Sequence, residues 1–73
     1  MKNIEDNIKI LLNLFNAGKH DLVLTKSKKL IRTFPEYLIL YNILGSAYQN
    51  VGDLNLAKEI FIKGLKLEPN NIS

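Results

Sequence analysis

The chain has 73 residues, a formal net charge of +3 and no cysteine, and these properties exclude several classes of protein. A chain of this length forms at most one small domain. Without cysteine it can hold no disulfide, no thiolate-bound zinc and no cysteine nucleophile. Hydrophobic residues make up 47% of the chain, as in folded rather than disordered proteins. The absence of cysteine and of a signal-like N-terminus favours a cytoplasmic protein.

Two helices are predicted in the first half of the chain. The first runs from about Glu5 to Ala17, with Asn3 in position to cap it, and it ends at Gly18, which suits a left-handed C-terminal residue. The second runs from about Lys19 to Thr33. It ends there because the residue before Pro35 is disfavoured in helical conformation.

Two further helices are predicted in the second half. The third runs from about Glu36 to Asn50, with Pro35 favouring its first turn and Gly52 closing it. The fourth runs from Asp53, a good N-cap residue, to about Leu67. Because the linkers are short, neighbouring helices are expected to pack antiparallel. The predicted fold is therefore all-α, and no apolar run is long enough to span a membrane.

The two halves repeat a common pattern at a fixed distance. Gly18 is separated from Gly52 by the same interval as Pro35 from Pro69. The second half also carries a run of aromatic, small and apolar residues at characteristic spacing: Tyr41, Leu44, Gly45, Tyr48, Ala57, Phe61 and Pro69. This order, with a period of about 34 residues, resembles the tetratricopeptide repeat (TPR), which is a helix-turn-helix unit.

The resemblance to the TPR family implies a fold and a domain organisation. It implies two helix-turn-helix units stacked as a short α-solenoid, so that residues 1–73 form one domain. Repeat one covers about residues 4–37 and repeat two about residues 38–71. The motif residues are expected to pack between the helices, with the small Gly45 and Ala57 allowing close approach.

The two predicted repeats match the family unequally. The second departs from the pattern only at Gly64, where the family usually has alanine. In the first repeat, Leu11 replaces the glycine, Val23 the alanine and Ser27 the aromatic residue. A large Leu11 beside a small Ser27 suggests an exchange of volume across one interface.

The outermost helices have wider apolar arcs than one buried face requires. In the first and fourth helices the apolar residues sweep roughly 200° and 180°, against about 100° for a helix that packs on one side. Two explanations stay open. Either further repeats follow in a longer solenoid, or the chain self-associates through these helices.

The resemblance places a peptide-binding groove on the concave face, which the first helix of each pair lines. The candidate residues there are Ile8, Leu12, Phe15, Asn42, Ser46 and Gln49. The implied function is a protein–protein interaction scaffold that binds a peptide or helix without catalysis or cofactor. Two alternatives stay open: the repeat portion of a larger enzyme, such as a bacterial sulfotransferase or glycosyltransferase, and a homo-oligomeric structural module.

Two specialised binding modes of the family are not expected. A clamp for a C-terminal carboxylate needs Lys, Arg and Asn on the inner faces, but Ile8, Leu12 and Ile43 stand at those positions. An inner ladder of asparagines, as in O-linked N-acetylglucosamine transferases, is also not expected. Ile43 occupies the matching position, and Asn42 lies one residue away.

The remaining polar residues are predicted to be solvated rather than functional. A small basic set is expected on the outer face of the second helix, without interleaved aromatic residues, so nucleic acid is not an expected partner: Lys26, Lys28, Lys29 and Arg32. His20 is the single histidine and is expected at the surface of a turn. No motif for a catalytic nucleophile, a phosphate loop or a metal site is present.

Overall fold

The computed structural model describes residues 3–67, which form four α-helices and, within that range, no strand. Helix α1 spans Ile4–Asn16, α2 His20–Thr33, α3 Leu38–Asn50 and α4 Leu54–Leu67. Helix α3 packs most extensively against α4 and α2, and α1 contacts both α2 and α3. The all-α prediction, with two helical hairpins stacked side by side, is therefore confirmed.

The predicted caps are present at the start of α1 and of α4. The side-chain Oδ1 of Asn3 accepts a hydrogen bond from the backbone N–H of Asp6 at 2.9 Å. Asp53 Oδ1 accepts one from the backbone N–H of Leu56 at 3.3 Å. Each bond satisfies a donor that the first helical turn would otherwise leave unpaired. Both caps depend only on local sequence, which is why the pattern alone could place them.

The two hairpin turns share one backbone geometry. Gly18 and Gly52 have φ values of 76° and 86°, in the left-handed region that glycine adopts without steric cost. The residue after each glycine donates its N–H to the carbonyl five residues earlier, at 2.9 Å in both turns. This is the closing bond of a Schellman motif. The regular spacing of the glycines in the sequence thus corresponds to a repeated structure.

The start of α3 differs from the prediction. This helix begins at Leu38 rather than at Glu36, so Pro35 lies in the turn and not in the first helical turn. Tyr37 has an extended backbone (φ −97°, ψ 107°), which stops the helix from extending backwards. The Pro35 carbonyl instead accepts a hydrogen bond from the hydroxyl of Tyr41 at 2.8 Å. The ring of Tyr41 thereby ties the turn to α3.

The interior consists of two neighbouring clusters of buried residues. The first is built from α1, α2 and α3, and the second from α3 and α4: Leu11, Val23, Leu40, Ile43 and Ala47, then Leu44, Tyr48 and Ala57. Leu24 and Ile31 of α2 pack against both clusters and join them. The side chains of α2 are therefore covered on the side that faces α3.

The two outer helices differ in what they expose. On α1 most of the wide apolar arc is used within the chain, because Ile4, Ile8, Leu14 and Phe15 pack against the first cluster. On α4 the side chains of Leu54 and Leu65 remain 64% and 67% exposed. The expectation of two open outer faces is therefore wrong for α1. That helix lies in the angle between α2 and α3, so it needs apolar residues on two sides.

Candidate peptide-binding groove

A groove of about 290 Å³ lies between the first helices of the two hairpins, α1 and α3. Its wall is mainly apolar, with one amide and one hydroxyl side chain, and it is formed by Leu12, Phe15, Ile39, Asn42, Ile43 and Ser46. We call this site the α1–α3 groove. None of its lining residues carries a charge.

The helical repeat positions these side chains. On α3, Ile39, Ile43 and Ser46 follow one another at intervals of four and three residues, which places them on one helix face. Leu12 and Phe15 of α1 are likewise three residues apart. Ile43 is only 6% exposed and forms the floor, whereas Leu12 and Ile39 are 41% and 40% exposed at the rim.

Four of the six residues predicted for the concave face line this groove, and two do not. Ile8 is half-buried and packs against the first core cluster, and Gln49 is exposed two helical turns beyond Asn42 and does not line the groove. Ile39 and Ile43 line the groove but were absent from the prediction. Their four-residue spacing places them on the same face as Asn42 and Ser46, and this signal could have identified them.

Phe15 of the groove wall contacts His20, the first residue of α2. The two rings meet edge to face, with their centroids 6.0 Å apart and their planes at 74°. His20 is half-buried, and its Nδ1 is buried without a hydrogen-bond partner in the structure. The expectation of a surface histidine is therefore wrong, since its ring supports Phe15. Among residues 3–67 no group of His, Cys, Asp or Glu could hold a metal ion.

The motif residues of the second half lie mostly in the interior. Leu44 and Ala57 are 2% exposed, Tyr41 8% and Tyr48 9%; Gly45 is buried and Phe61 half-buried. Pro69 lies outside the described residues. A Cβ atom on Gly45 would come within 2.5 Å of the Phe61 ring. Any larger residue here would therefore require the Phe61 ring to move.

The departures from the motif have packing consequences of their own. A Cβ atom on Gly64 would come within 2.9 Å of Leu38 and 3.0 Å of Tyr41, so glycine here permits a closer contact than alanine would. In the first hairpin, Leu11 and Ser27 are both fully buried. They occupy the positions that Gly45 and Phe61 occupy one repeat length later in the chain.

The basic residues of α2 do not share one outer face. Lys26 and Lys29 border a shallow pocket of about 210 Å³ between α1 and α2, together with Asn7, Ile10 and Leu30. The ammonium of Lys28 instead lies 5.7 Å from the ring centroid of Tyr48 on α3. The four basic side chains are exposed, as expected, but they do not form one outer face, because Lys28 points toward α3 and Lys26 and Lys29 point toward α1.

Comparison with known proteins identifies the second hairpin. Residues 38–71 match the family model described as tetratricopeptide repeat. The second hairpin is a tetratricopeptide repeat. No curated protein and no solved structure matches the chain. The match covers one repeat and does not extend to residues 4–37.

The presence of a TPR unit indicates the general class of function. TPR units are helical scaffolds whose stacked surfaces bind other proteins. The family is in general associated with protein–protein interaction rather than with catalysis. Within residues 3–67, no helix has the length and apolar character needed to cross a membrane.

Proposed function

We propose that this TPR protein is a non-catalytic interaction module that binds a peptide or helix of a protein partner in the α1–α3 groove. The observation that carries the proposal is the composition of the groove. Apolar side chains from two helices form its walls, and the amide of Asn42 and the hydroxyl of Ser46 line the same opening. Such a surface can bury an apolar side chain while hydrogen-bonding the peptide backbone beside it.

The size and charge of the groove favour a particular kind of ligand. A volume of about 290 Å³ is at the lower limit of small-molecule pockets, and it suits one or two side chains of a peptide. Because no lining residue is charged, few ion pairs would form on binding. We therefore expect affinity to depend weakly on salt, since screening acts on charged pairs.

The proposal includes the organisation of the chain as one domain of two repeats, residues 4–37 and 38–71 within 1–73. Two observations support it. The hairpin turns at Gly18 and Gly52 have the same left-handed glycine and the same closing hydrogen bond. Helices α1 and α3 also lie side by side, so that both contribute to the groove.

The sharpest test combines a selected ligand with paired variants. Peptides selected from a random display library on the 73-residue chain would be measured by calorimetry against two groove variants, Leu12→Ser and Asn42→Ala/Ser46→Ala. Gln49→Ala is the matched control, because it removes an exposed amide from the same helix outside the groove. We expect at least tenfold weaker binding in the groove variants and no change in the control.

Two results would contradict the proposal. Binding lost in Lys26→Glu/Lys29→Glu but kept in the groove variants would place the ligand on the basic pocket between α1 and α2. A steep fall in affinity with salt would indicate an anionic partner. The alternatives of an enzyme-associated repeat region and of a homo-oligomeric module stay predictions.

A further inference from the structure

The second helices of the two hairpins carry corresponding surfaces, but only the surface of α2 packs against a following helix. A shift by one repeat length relates four positions of α2 to four of α4: His20 to Leu54, Leu24 to Lys58, Lys28 to Ile62 and Ile31 to Leu65. On α2, Leu24 and Ile31 pack under α3 in both core clusters. We call the corresponding residues of α4, namely Leu54, Lys58, Ile62 and Leu65, the α4 face.

The α4 face is exposed although it is largely apolar. The exposed fractions of Leu54, Ile62 and Leu65 are 64%, 42% and 67%. At 100° per residue, the four side chains occupy about 80° of the helix circumference, so they form one continuous stripe. A stripe of this width can receive one further helix, as the corresponding stripe of α2 receives α3.

The opposite end of the stack does not complement this stripe. The residues of α1 that correspond to the buried Leu40, Ile43 and Ala47 of α3 are Asp6, Lys9 and Asn13, and all three are exposed. A second copy that docked its α1 on the α4 face would bury these polar side chains against leucine. Burial of unpaired charges is costly, so head-to-tail stacking of copies is disfavoured.

Lys58 gives the α4 face a specific chemistry. It stands where α2 has the packed Leu24, and on the helix circumference it lies between Leu65 and Ile62. An ammonium group inside an apolar stripe requires a carboxylate opposite it when the stripe is covered. A second α4 offers none, because its single acidic residue, Glu59, lies about 100° around the helix from Lys58.

From this arrangement we propose that the α4 face binds an amphipathic helix of a partner protein that carries a carboxylate beside its apolar stripe. The pattern of that stripe follows from α3, whose inner residues Leu40, Leu44, Ala47 and Tyr48 recur at i, i+4, i+7 and i+8. Three exposed apolar side chains make a contact smaller than a standard interface of about 800 Å² per partner. The complex is therefore transient. It is independent of the α1–α3 groove.

The test uses two synthetic helical peptides, each long enough for about four helical turns. Both carry an apolar stripe at i, i+4, i+7 and i+8, and they differ only in two positions beside it, which are Glu in one peptide and Lys in the other. Fluorescence anisotropy with the 73-residue chain would show micromolar binding of the Glu peptide, at least tenfold tighter than that of the Lys peptide. In Lys58→Glu the preference would reverse.

Matched variants locate the binding surface. Leu54→Ser/Leu65→Ser should weaken binding of the Glu peptide at least tenfold. Leu56→Ser should leave it within twofold, because Leu56 is also exposed, at 38%, but lies on the opposite side of α4. Both changes affect solvent-exposed side chains, so the fold is retained. Asn42→Ala/Ser46→Ala should have no effect, which separates this surface from the α1–α3 groove.

Several outcomes would overturn the proposal. Equal binding of the two peptides, or no binding of either, would remove the role of Lys58. Loss of binding in the groove variant would assign the peptide to the other site. Sedimentation should show a monomer at assay concentration. A dimer that disappears in Leu54→Ser/Leu65→Ser would show that a second copy covers the α4 face.

Discussion

The two hairpins fill the same interhelical space with opposite arrangements of large and small residues. In the second hairpin, Gly45 on the first helix accommodates the ring of Phe61 on the second. In the first hairpin, the corresponding residues are Leu11 and Ser27, and both are fully buried. The comparison predicts that the fold preserves the total volume at these two positions rather than the residue at each one. Protein interiors are close-packed, so volume is the quantity that must be kept.

The exchange in the first hairpin leaves an unpaired polar atom. The Oγ atom of Ser27 is buried without a hydrogen-bond partner, whereas the corresponding Phe61 carries only carbon. An unpaired buried hydroxyl destabilises a fold by roughly 1–3 kcal/mol. The first hairpin is thus expected to be the weaker of the two. The same substitutions remove its small-residue and aromatic motif positions, which is consistent with a family match confined to residues 38–71.

The largest predicted effect concerns the first hairpin. Leu11→Ala should lower the free energy of unfolding by about 3 kcal/mol, because it removes a fully buried side chain and leaves a cavity. In the native chain, Ser27→Phe should overpack the core and destabilise it. If Leu11 and Ser27 fill one shared space, the same change should recover part of the loss in the Leu11→Ala variant. Urea unfolding followed by circular dichroism would measure all four members of the cycle.

A control variant and a contrary result define this test. Leu12→Ala removes the neighbouring leucine, which is 41% exposed at the groove rim, so it should cost less than half as much as Leu11→Ala. If Ser27→Phe destabilises the Leu11→Ala variant as much as it destabilises the native chain, the two positions are not coupled. The comparison of the two hairpins as mirror arrangements would then be wrong.

A smaller effect is predicted at the matching contact of the second hairpin. Gly45→Leu should destabilise the chain by about 2 kcal/mol, because even its Cβ atom would lie 2.5 Å from the Phe61 ring. The gain of about 1 kcal/mol in helix propensity on replacing glycine is included in this figure. Gln49→Leu, on an exposed site of the same helix, should change stability by less than about 0.5 kcal/mol. Equal thermal melts for both variants would show that the close approach at Gly45 is not required.

Much of the fold could be predicted from the sequence because its signals are local. Asn3 and Asp53 cap helices through bonds to residues three positions away, and Gly18 and Gly52 provide turns without reference to the rest of the chain. The start of α3 was misplaced because Tyr37 is extended and the Pro35 carbonyl accepts a bond from the Tyr41 hydroxyl. A side-chain bond of this kind has no signature in the spacing of apolar residues.

The exposed surfaces were harder to predict for a similar reason. Helices α1 and α4 have comparable apolar arcs in sequence, yet α1 packs on two neighbours and α4 chiefly on α3. The difference comes from their position in the stack, which a single helix does not encode. The spacing of Ile39 could have placed it on the face of Asn42 and Ser46, but that this face borders a groove depends on α1 lying beside α3.

The smallest predicted effect sharpens the comparison at the link between the hairpins. The ammonium of Lys28 lies 5.7 Å from the Tyr48 ring centroid, so Lys28→Ala should cost about 0.5–1 kcal/mol rather than being silent. In a chain of this size this corresponds to a fall in melting temperature of about 2–8 °C.

Two control variants locate the cause. Lys28→Met keeps an apolar stem, so a similar fall would assign the effect to the charge. Lys29→Ala, beside it on α2, has no such ring beneath its ammonium within residues 3–67, so it should destabilise the chain less than Lys28→Ala, by less than about 0.5 kcal/mol. If Lys28→Ala and Lys29→Ala melt together, the cation does not contribute to joining α2 and α3, and the contact between the hairpins rests on the apolar core clusters.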